Sequence, residues 1–284
     1  MMKKSFCFFV VILLLAACQT KKEKTTDWEN DDLLGKVKSY RITNYRATYD
    51  LGEVIKGDTI GALGRIVYNE NGYRIEEFWS FNDDVSRRIY NYDKNGNCVE
   101  SVNYNQDKMV VDYGKFHYDK NGNIQDETFY DSSDNMISKY VYTTDKNGNI
   151  LEQLEFNKDE ELEVSHLSKY NSASLEVEHT TCFYENGNRM FTKQTFDYNS
   201  AGKITKSVLY DDEKNVLGRW IYTYNEKASL IQEEVFDADE ELVEKRTYTY
   251  EYDSIGNWVT RTSYDAISGD AQVITVRKIE YYTK

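Results

Sequence analysis

Residues 92–96 read Tyr-Asp-Lys-Asn-Gly, residues 118–122 repeat the same five amino acids, and residues 145–148 repeat the last four. The glycines of these copies, Gly96, Gly122 and Gly148, follow one another at intervals of 26 residues. A fixed period of this length indicates a repeat array, in which no unit can bury its apolar face alone and each must pack against its neighbours. We therefore expect one structural unit, used many times along the chain.

Each copy has the composition of a β-hairpin turn. Asp suits the first position of a type I turn, and Gly suits the fourth, where a left-handed residue makes the bulge that turns the chain back along its neighbour. The fourth position recurs at steps of 24 to 28 residues, twice without Gly. The residues that occupy it are Gly72, Gly96, Gly122, Gly148, Ser174, Gly202, Ala228 and Gly256.

A second polar segment lies midway between successive glycine turns and is expected to be a turn as well. These segments are residues 130–135, 156–161, 210–215 and 236–241. Two turns per unit leave two strands of about eight residues. The sequence therefore predicts an all-β fold, a long antiparallel meander of about sixteen or more strands built from β-hairpin repeats of about 26 residues. Because open sheets rarely exceed about ten strands without curling, this single sheet should be strongly twisted, coiled or partly closed.

Apolar side chains recur at even offsets from the glycine position, which predicts that they share one face of the sheet. Ile124 and Trp258 stand two residues after it, and Tyr130 and Tyr264 stand eight residues after it. Stacked in register, such residues would form aromatic ladders across the strands. Glu and Lys recur on both faces, which argues against a sandwich and against the continuous apolar outer band of an outer-membrane barrel.

The repeated Tyr-Asp-x-x-Gly unit resembles the YD repeat of the rearrangement-hotspot (RHS) family. The resemblance covers about residues 65–264, although the Arg that usually follows the Gly is mostly Asn here, as at Asn97, Asn123, Asn149 and Asn257. It implies a spiralling β-sheet in a cell-envelope or secreted protein, associated with surface binding and carbohydrate. The toxin-capsule role of the large family members is not implied, because no toxin-like C-terminal domain or self-cleaving segment is recognisable.

The first residues indicate a lipoprotein signal. Lys3 and Lys4 precede 12 apolar residues, a run that is too short to span a bilayer and suits a secretory signal. Residues 15–18, Leu-Ala-Ala-Cys, resemble the bacterial lipobox, in which Cys18 would carry the diacylglycerol; the alternative is a plain signal peptide with a chance cysteine. The sequence thus predicts a lipoprotein signal peptide at 1–17, a flexible polar tether at 18–35 and a β-hairpin repeat domain at 36–284. Acylated Cys18 would hold this domain at a membrane of the cell envelope, with the outer membrane favoured and the membrane face left open.

The charge balance restricts the partners. The chain has 35 Lys and Arg against 49 Asp and Glu, a net charge of -14. Nucleic acid is therefore a poor partner. Cys98 and Cys182 would lie about six strands apart, too far for a disulfide, so two free thiols are expected unless the sheet closes on itself.

The turns midway between the glycine turns are strongly acidic, so one rim of the sheet should be negative. One hypothesis is a calcium site on this rim, because hard cations prefer clustered oxygen ligands. The simpler interpretation is a solvated rim that keeps the sheet soluble and blocks edge association. The candidate ligands are Asp159, Glu160, Glu161, Asp211, Asp212, Glu213, Asp237, Asp239, Glu240 and Glu241.

Three tryptophans, Trp79, Trp220 and Trp258, join the aromatic ladders. Aromatic planes on a curved sheet could stack against sugar rings, which gives the hypothesis of a glycan on the concave face. The alternative is that these rings only fill the ladders.

No catalytic site is predicted. His117, His166 and His179 lie in different strands without the spacing of a metal site or a catalytic triad, and the carboxylates are too numerous to single out a glycosidase-like pair. The sequence predicts a noncatalytic, lipid-anchored binding or scaffold protein without a cofactor, whose partner is a glycan or a protein. The alternatives are a carbohydrate-active enzyme and a purely structural surface spacer.

Overall fold

The computed structural model describes residues 25–81, 84–185 and 188–283. These residues form one short helix and eighteen strands, all joined in one antiparallel sheet. The elements are α1 (Asp27–Asn30), β1 (Val37–Asp50), β2 (Glu53–Tyr68), β3 (Arg74–Phe81), β4 (Asp84–Tyr92), β5 (Cys98–Tyr104), β6 (Val110–Tyr118), β7 (Ile124–Asp131), β8 (Met136–Thr144), β9 (Ile150–Asn157), β10 (Leu162–Tyr170), β11 (Glu176–Glu185), β12 (Asn188–Tyr198), β13 (Ile204–Tyr210), β14 (Val216–Tyr224), β15 (Leu230–Phe236), β16 (Leu242–Tyr252), β17 (Trp258–Asp265) and β18 (Ala271–Tyr281). The predicted all-β antiparallel meander is confirmed; the predicted signal peptide and Cys18 lie outside the described residues.

The sheet closes on itself because β1 pairs with both β2 and β18. Tyr40 of β1, for example, lies opposite Ile66 on one side and Ile279 on the other. The fold is therefore a closed barrel, which corrects the prediction of a single sheet that is twisted, coiled or only partly closed. Closure pairs the two terminal strands, whose backbone N–H and C=O groups would otherwise be exposed along an edge.

The glycine turns follow one design. Asp93 accepts hydrogen bonds through Oδ1 from the backbone N–H groups of Asn95 and Asn97, at 2.8 and 2.9 Å. The N–H of Gly96 donates to the Asp93 carbonyl at 3.1 Å, and Gly96 has a φ of 79°, the left-handed conformation that Gly adopts without strain. We call the rim formed by residues 72, 96, 122, 148, 174, 202, 228 and 256 the glycine rim.

Five of the described turns on the opposite rim use the same design with a residue other than Gly, at Lys108, Asp134, Glu160, Lys214 and Glu240. Asn157 accepts through Oδ1 from the N–H groups of Asp159 and Glu161, both at 3.0 Å, and Glu160 takes the left-handed conformation with a φ of 61°. The structural unit is thus one strand and one turn, and the period of 26 residues contains two such units. We call this rim, which includes turns 157–161, 211–215 and 237–241, the acidic rim.

These turns stabilise ionised carboxylates. The backbone N–H of Asn123 holds the pKa of Asp119 below its usual value, and the side-chain amide of Asn135 does the same for the pKa of Asp131. Hydrogen bonds to the charged form cause both shifts.

A register shift accompanies most hairpins and bends the strands. Tyr118 of β6 lies opposite Ile124 of β7, and the next pair along skips one residue of β7. Such bulges increase twist and curvature, which helps eighteen strands to close. They also correct the assignment of faces: Ile124 lies on the inward face with Tyr118, whereas Tyr130 stacks on Tyr113 on the outward face.

At three turns of the glycine rim, the Tyr of the repeated motif joins a hairpin to the preceding one. Its hydroxyl donates to the backbone carbonyl two residues after the preceding glycine position, a contact that Phe could not make. The pairs are Tyr92 with Arg74 at 2.6 Å, Tyr170 with Ile150 at 2.9 Å and Tyr198 with Glu176 at 2.5 Å. The spacing between motif copies is therefore tied to a contact between neighbouring turns.

The residue after the glycine position packs against the next turn of the glycine rim. A Cβ at Gly96 would lie 2.6 Å from the hydroxyl of Tyr73, and a Cβ at Gly148 would lie 2.8 Å from Oδ1 of Asn123. Tyr73 is held in place because its ring stacks on Tyr92 with centroids 5.3 Å apart. The Gly is thus required for the close approach as well as for its φ.

A cluster of buried residues, Leu33, Val37, Tyr40, Ile66 and Tyr68, lies next to the glycine rim. Most other side chains are half-buried, on both faces of the sheet. In the part of the chain that is described, no helix has the length and apolarity to cross a membrane.

Ion pairs lie on the outward face, as expected from the charged residues that recur on both faces of the sheet. They include Arg87 with Glu76 and Lys245 with Glu234, both at 2.9 Å. Cys98 and Cys182 lie on β5 and β11, six strands apart, and form no disulfide; closure of the sheet does not bring these two strands together.

Gly96→Ala should destabilise the barrel more than Gly269→Ala. Both glycines have positive φ, 79° and 78°, so both substitutions introduce backbone strain of about 1 kcal/mol. Only Gly96 also meets a ring, because no atom lies within 4 Å of a Cβ at Gly269. We expect the free energy of unfolding, measured in urea, to fall by roughly 1 kcal/mol more for Gly96→Ala. Equal losses would show that the packing of the rim contributes nothing.

Candidate functional site

The inward face of the barrel lines an open cavity at β16, β17, β18, β1 and β2. The cavity has a volume of about 530 Å³, and its walls include Asn44, Tyr248, Arg261, Ser263 and Thr275. It reaches the acidic rim at the turn that joins β17 to β18. A volume of this size falls in the range of about 300–1,000 Å³ that is typical of small-molecule sites.

The opposite mouth is crossed by residues 25–35, which we call the crossbar. Asp31 accepts two hydrogen bonds from Nη2 of Arg74 on β3, both at 2.9 Å. The next residue, Asp32, accepts from Nζ of Lys203 at 2.8 and 2.9 Å. Lys203 lies in the turn between β12 and β13, ten strands further along the ring, so the crossbar connects opposite walls at the glycine rim.

The crossbar is held by its apolar side chains and by backbone contacts. The indole N–H of Trp28 donates to the carbonyl of Val37 at 2.8 Å, and Leu33 is only 6% exposed. The backbone of Leu34 exchanges two hydrogen bonds of 2.8 Å with the side-chain amide of Asn257. The sequence analysis assigned residues 18–35 to a flexible polar tether; residues 25–35, the described part of that segment, are instead folded onto the rim because their apolar residues are buried there.

Two arginines share one indole ring on the inward face. The guanidinium of Arg277 lies 3.6 Å from the ring centroid of Trp258 and 5.1 Å from that of Tyr40. The guanidinium of Arg261 lies 5.5 Å from Trp258 and 5.7 Å from Tyr248. Burial lowers the pKa of Arg277 from its usual value, since it disfavours the charged form.

The carboxylates near the cavity are already engaged. Glu244 forms an ion pair with Arg246. Asp265 accepts hydrogen bonds of 2.9 Å from the backbone N–H groups of Ile267 and Ser268 in its own turn. Within the described residues, neither Arg261 nor Arg277 forms an ion pair with a carboxylate, so these two charges are not matched locally.

A histidine pair forms a second polar cluster on the inward face. Nδ1 of His166 lies 3.1 Å from Nε2 of His179. The other nitrogen of each ring faces a carboxylate: Nε2 of His166 lies 3.0 Å from Glu155, and Nδ1 of His179 lies 2.9 Å from Glu176. The two histidines lie on different strands, as expected, and the β10–β11 hairpin brings them together although their spacing in the sequence does not indicate a contact.

The histidine cluster can share a proton. If each ring donates its N–H to a carboxylate, one proton between the facing nitrogens completes the hydrogen bond. Burial alone would raise the pKa of Glu176, but hydrogen bonds from His179 and Ser168 outweigh it and lower that pKa from its usual value. Ser168 donates to Glu176 at 2.5 Å, so its hydroxyl proton is directed to a carboxylate and not to a histidine base.

The three predicted tryptophans all lie on the inward face but on separate strands. Trp79 is on β3, Trp220 on β14 and Trp258 on β17, so they form no common platform. Trp79 lies over Gly64, where a Cβ would be 2.4 Å from its ring. Only Trp258 lies beside the arginines of the cavity.

The predicted acidic rim residues are distributed over separate turns, and the following contacts are local to one turn each. Asp211 accepts from the backbone N–H of Asn215 at 2.7 Å, and Asp159 pairs with Lys158 at 2.8 Å. Across residues 25–81, 84–185 and 188–283, no group of three or more His, Cys, Asp or Glu side chains is arranged to hold a metal ion.

No protein-family model matches the sequence, and no curated protein matches it. Several solved structures do. A porin-like protein from Bacteroides uniformis is 13% identical, with 86% of this chain and 98% of that chain covered and a TM-score of 0.42. A chain of the TcdB2-TccC3-Cdc42 structure is 11% identical with a TM-score of 0.37, covering 87% of this chain but 16% of that one. A putative outer membrane lipoprotein-sorting protein domain from Vibrio parahaemolyticus is 9% identical, with 87% of each chain covered and a TM-score of 0.23. These likenesses are too distant to identify a site, which therefore rests on its own geometry.

The crossbar offers a matched pair of substitutions. Asp31→Asn should lower the free energy of unfolding by about 2 kcal/mol, because it leaves the half-buried Arg74 with a weaker partner. Asp32→Asn should lower the free energy of unfolding by about 0.5 kcal/mol or less, because the ion pair of Asp32 with Lys203 is solvent-exposed. The side chains of Asp31 and Asp32 are 18% and 72% exposed. Thermal and urea unfolding of both variants measure the difference; a larger loss for Asp32→Asn would contradict the arrangement described.

Proposed function

We propose that this chain is a lipid-anchored binding protein of the bacterial cell envelope, of the YD-repeat type and without catalytic activity, which takes a small polar ligand into its barrel. The observation that carries the proposal is the cavity of about 530 Å³ on the inward face. It combines aromatic rings, hydroxyl groups and arginine side chains, the combination that orients a polar ligand. Carbohydrate is the ligand class that this lining and the family resemblance both favour.

The lipobox at residues 15–18 supports the anchor, and the crossbar supports an orientation. Thr25, the first described residue, follows Cys18 by seven residues. Seven residues can span at most about 25 Å, so a lipid on Cys18 would keep the glycine rim close to the membrane. The cavity would then open towards the acidic rim, away from the lipid.

The alternative function is a carbohydrate-active enzyme. The one observation in its favour is the cluster of Glu155, His166, His179 and Glu176 on the inward face. It supplies carboxylates and a proton path. No activated nucleophile accompanies them among the described residues, which is why binding without turnover is the proposal.

Cys18→Ser should remove the anchor. We expect it to abolish incorporation of a labelled fatty acid and to move the protein from the membrane fraction to the soluble fraction, because two or more acyl chains are what make such binding stable. Cys98→Ser is the matched control and should change neither property. Retained labelling in Cys18→Ser would contradict the lipobox assignment.

A tryptophan placed inside the cavity should block binding. Ser263→Trp fills the cavity, whereas Thr262→Trp, on the same strand, points outward. We expect a saturable fluorescence or calorimetric signal with envelope oligosaccharides for the native protein and for Thr262→Trp, and none for Ser263→Trp. Circular dichroism confirms that both variants fold. Equal binding by the two variants would place the ligand elsewhere, and oligosaccharide cleavage that is lost in Glu176→Gln would favour the enzyme.

A further inference from the structure

We propose that the ligand of this cavity carries an oxyanion group, a carboxylate, sulfate or phosphate, which is bound by Arg261, with the neighbouring buried Arg277 adding positive charge next to the site. Tyr248 would pack against the rest of the ligand. The inference rests on the proposed function, since it names the chemical class of what the barrel binds.

Two neighbouring guanidinium groups without an ion pair among the described residues support this inference. The protein as a whole is strongly acidic, with a net charge of -14. Even so, Arg261 and Arg277 have no ion-pair partner in the described part of the chain. Asp31 attracts Arg277 from a distance, but its oxygens are bonded to Arg74 and to the hydroxyl of Tyr68.

Nε of Arg277 is an unsatisfied donor, buried and without a hydrogen-bond partner in the portion of the chain that the structure describes. A buried charged group that is not fully bonded is costly, and in native proteins such a group calls for an explanation. Stacking on Trp258 compensates part of the charge, but it leaves the N–H unbonded. Because Nε is inaccessible, a ligand in the cavity would not bond to it; an oxyanion held by Arg261 would offset the positive charge of its buried neighbour. Guanidinium groups bind carboxylate, sulfate and phosphate through paired hydrogen bonds.

The position of the two arginines also fits. Arg261 lies directly opposite Thr275 across the β17–β18 pair, and Arg277 is the next inward-facing residue of β18. Arg261, Thr275 and Tyr248 line the cavity, so a ligand there would meet a guanidinium, a hydroxyl and an aromatic ring together, whereas Arg277 and Trp258 neighbour Arg261 without being part of that lining. Aromatic faces next to arginines suit a ring that bears an acidic substituent, such as a uronic acid.

The probes are galacturonate, galactose and inorganic phosphate, and the protein is the full mature chain in detergent. Galacturonate and galactose share a ring and differ by the carboxylate. We expect galacturonate to bind at least about 10-fold more tightly than galactose by calorimetry, and phosphate to compete with it. Arg261→Gln should weaken the affinity for galacturonate by about 10-fold or more and leave the affinity for galactose unchanged.

Two further variants keep the test independent of folding defects. Arg87→Gln removes an outward arginine that pairs with Glu76, and galacturonate should bind to it as to the native protein. Arg277→Met keeps a chain of similar length on Trp258 without the buried charge. We expect it to fold with an unchanged or raised melting temperature and to lose the stabilisation that galacturonate gives the native protein.

The outcomes separate this inference from the proposed function. Equal affinity for galactose and galacturonate, with binding still blocked by Ser263→Trp, would overturn the oxyanion class and leave the binding function standing. Galacturonate binding that is unaffected in Arg261→Gln and Arg277→Met would also overturn it. Absence of binding by all three probes at millimolar concentration would overturn it as well, while neutral oligosaccharides would still test the binding function.

Discussion

The pairing of β1 with both β2 and β18 is the constraint on which the rest of the structure depends. This pairing converts a meander with two exposed edges into a closed ring, so that one face of the sheet becomes the inward face of a barrel. The cavity depends on this closure, because its walls combine Asn44 of β1 with residues of β16, β17 and β18. The same strand also links the ring to the crossbar, since Val37 at its beginning accepts the indole N–H of Trp28.

The turns could be predicted from the sequence because their determinants are local. Asp or Asn at the first position and a left-handed residue at the fourth specify the hairpin, and both recur at regular intervals. Closure could not be predicted in this way. It depends on bulges that follow the turns and on β1 reaching β18, more than 220 positions away along the chain. Face assignment failed for the same reason, because each bulge shifts the alternation by one residue.

The candidate site was the least predictable part. The tryptophans were predicted as candidates, but none lines the cavity and only Trp258 lies beside Arg261, which does; the arginines carry no local sequence pattern. His166 and His179 flank the turn at Ser174 and meet across one hairpin, a contact that is visible only once the register is known. The crossbar was missed because Trp28 and Leu33 are too few to form an apolar period, although both are used for burial.

The crossbar also has an evolutionary consequence. Each strand of the barrel touches little beyond its two ring neighbours, so duplication or loss of a two-strand unit would leave every local contact intact and change only the circumference. The crossbar restricts such changes in strand number. It is attached to β3 through Asp31 and to the turn before β13 through Asp32, and its length is fixed. A wider or narrower ring would therefore separate one of these two ion pairs.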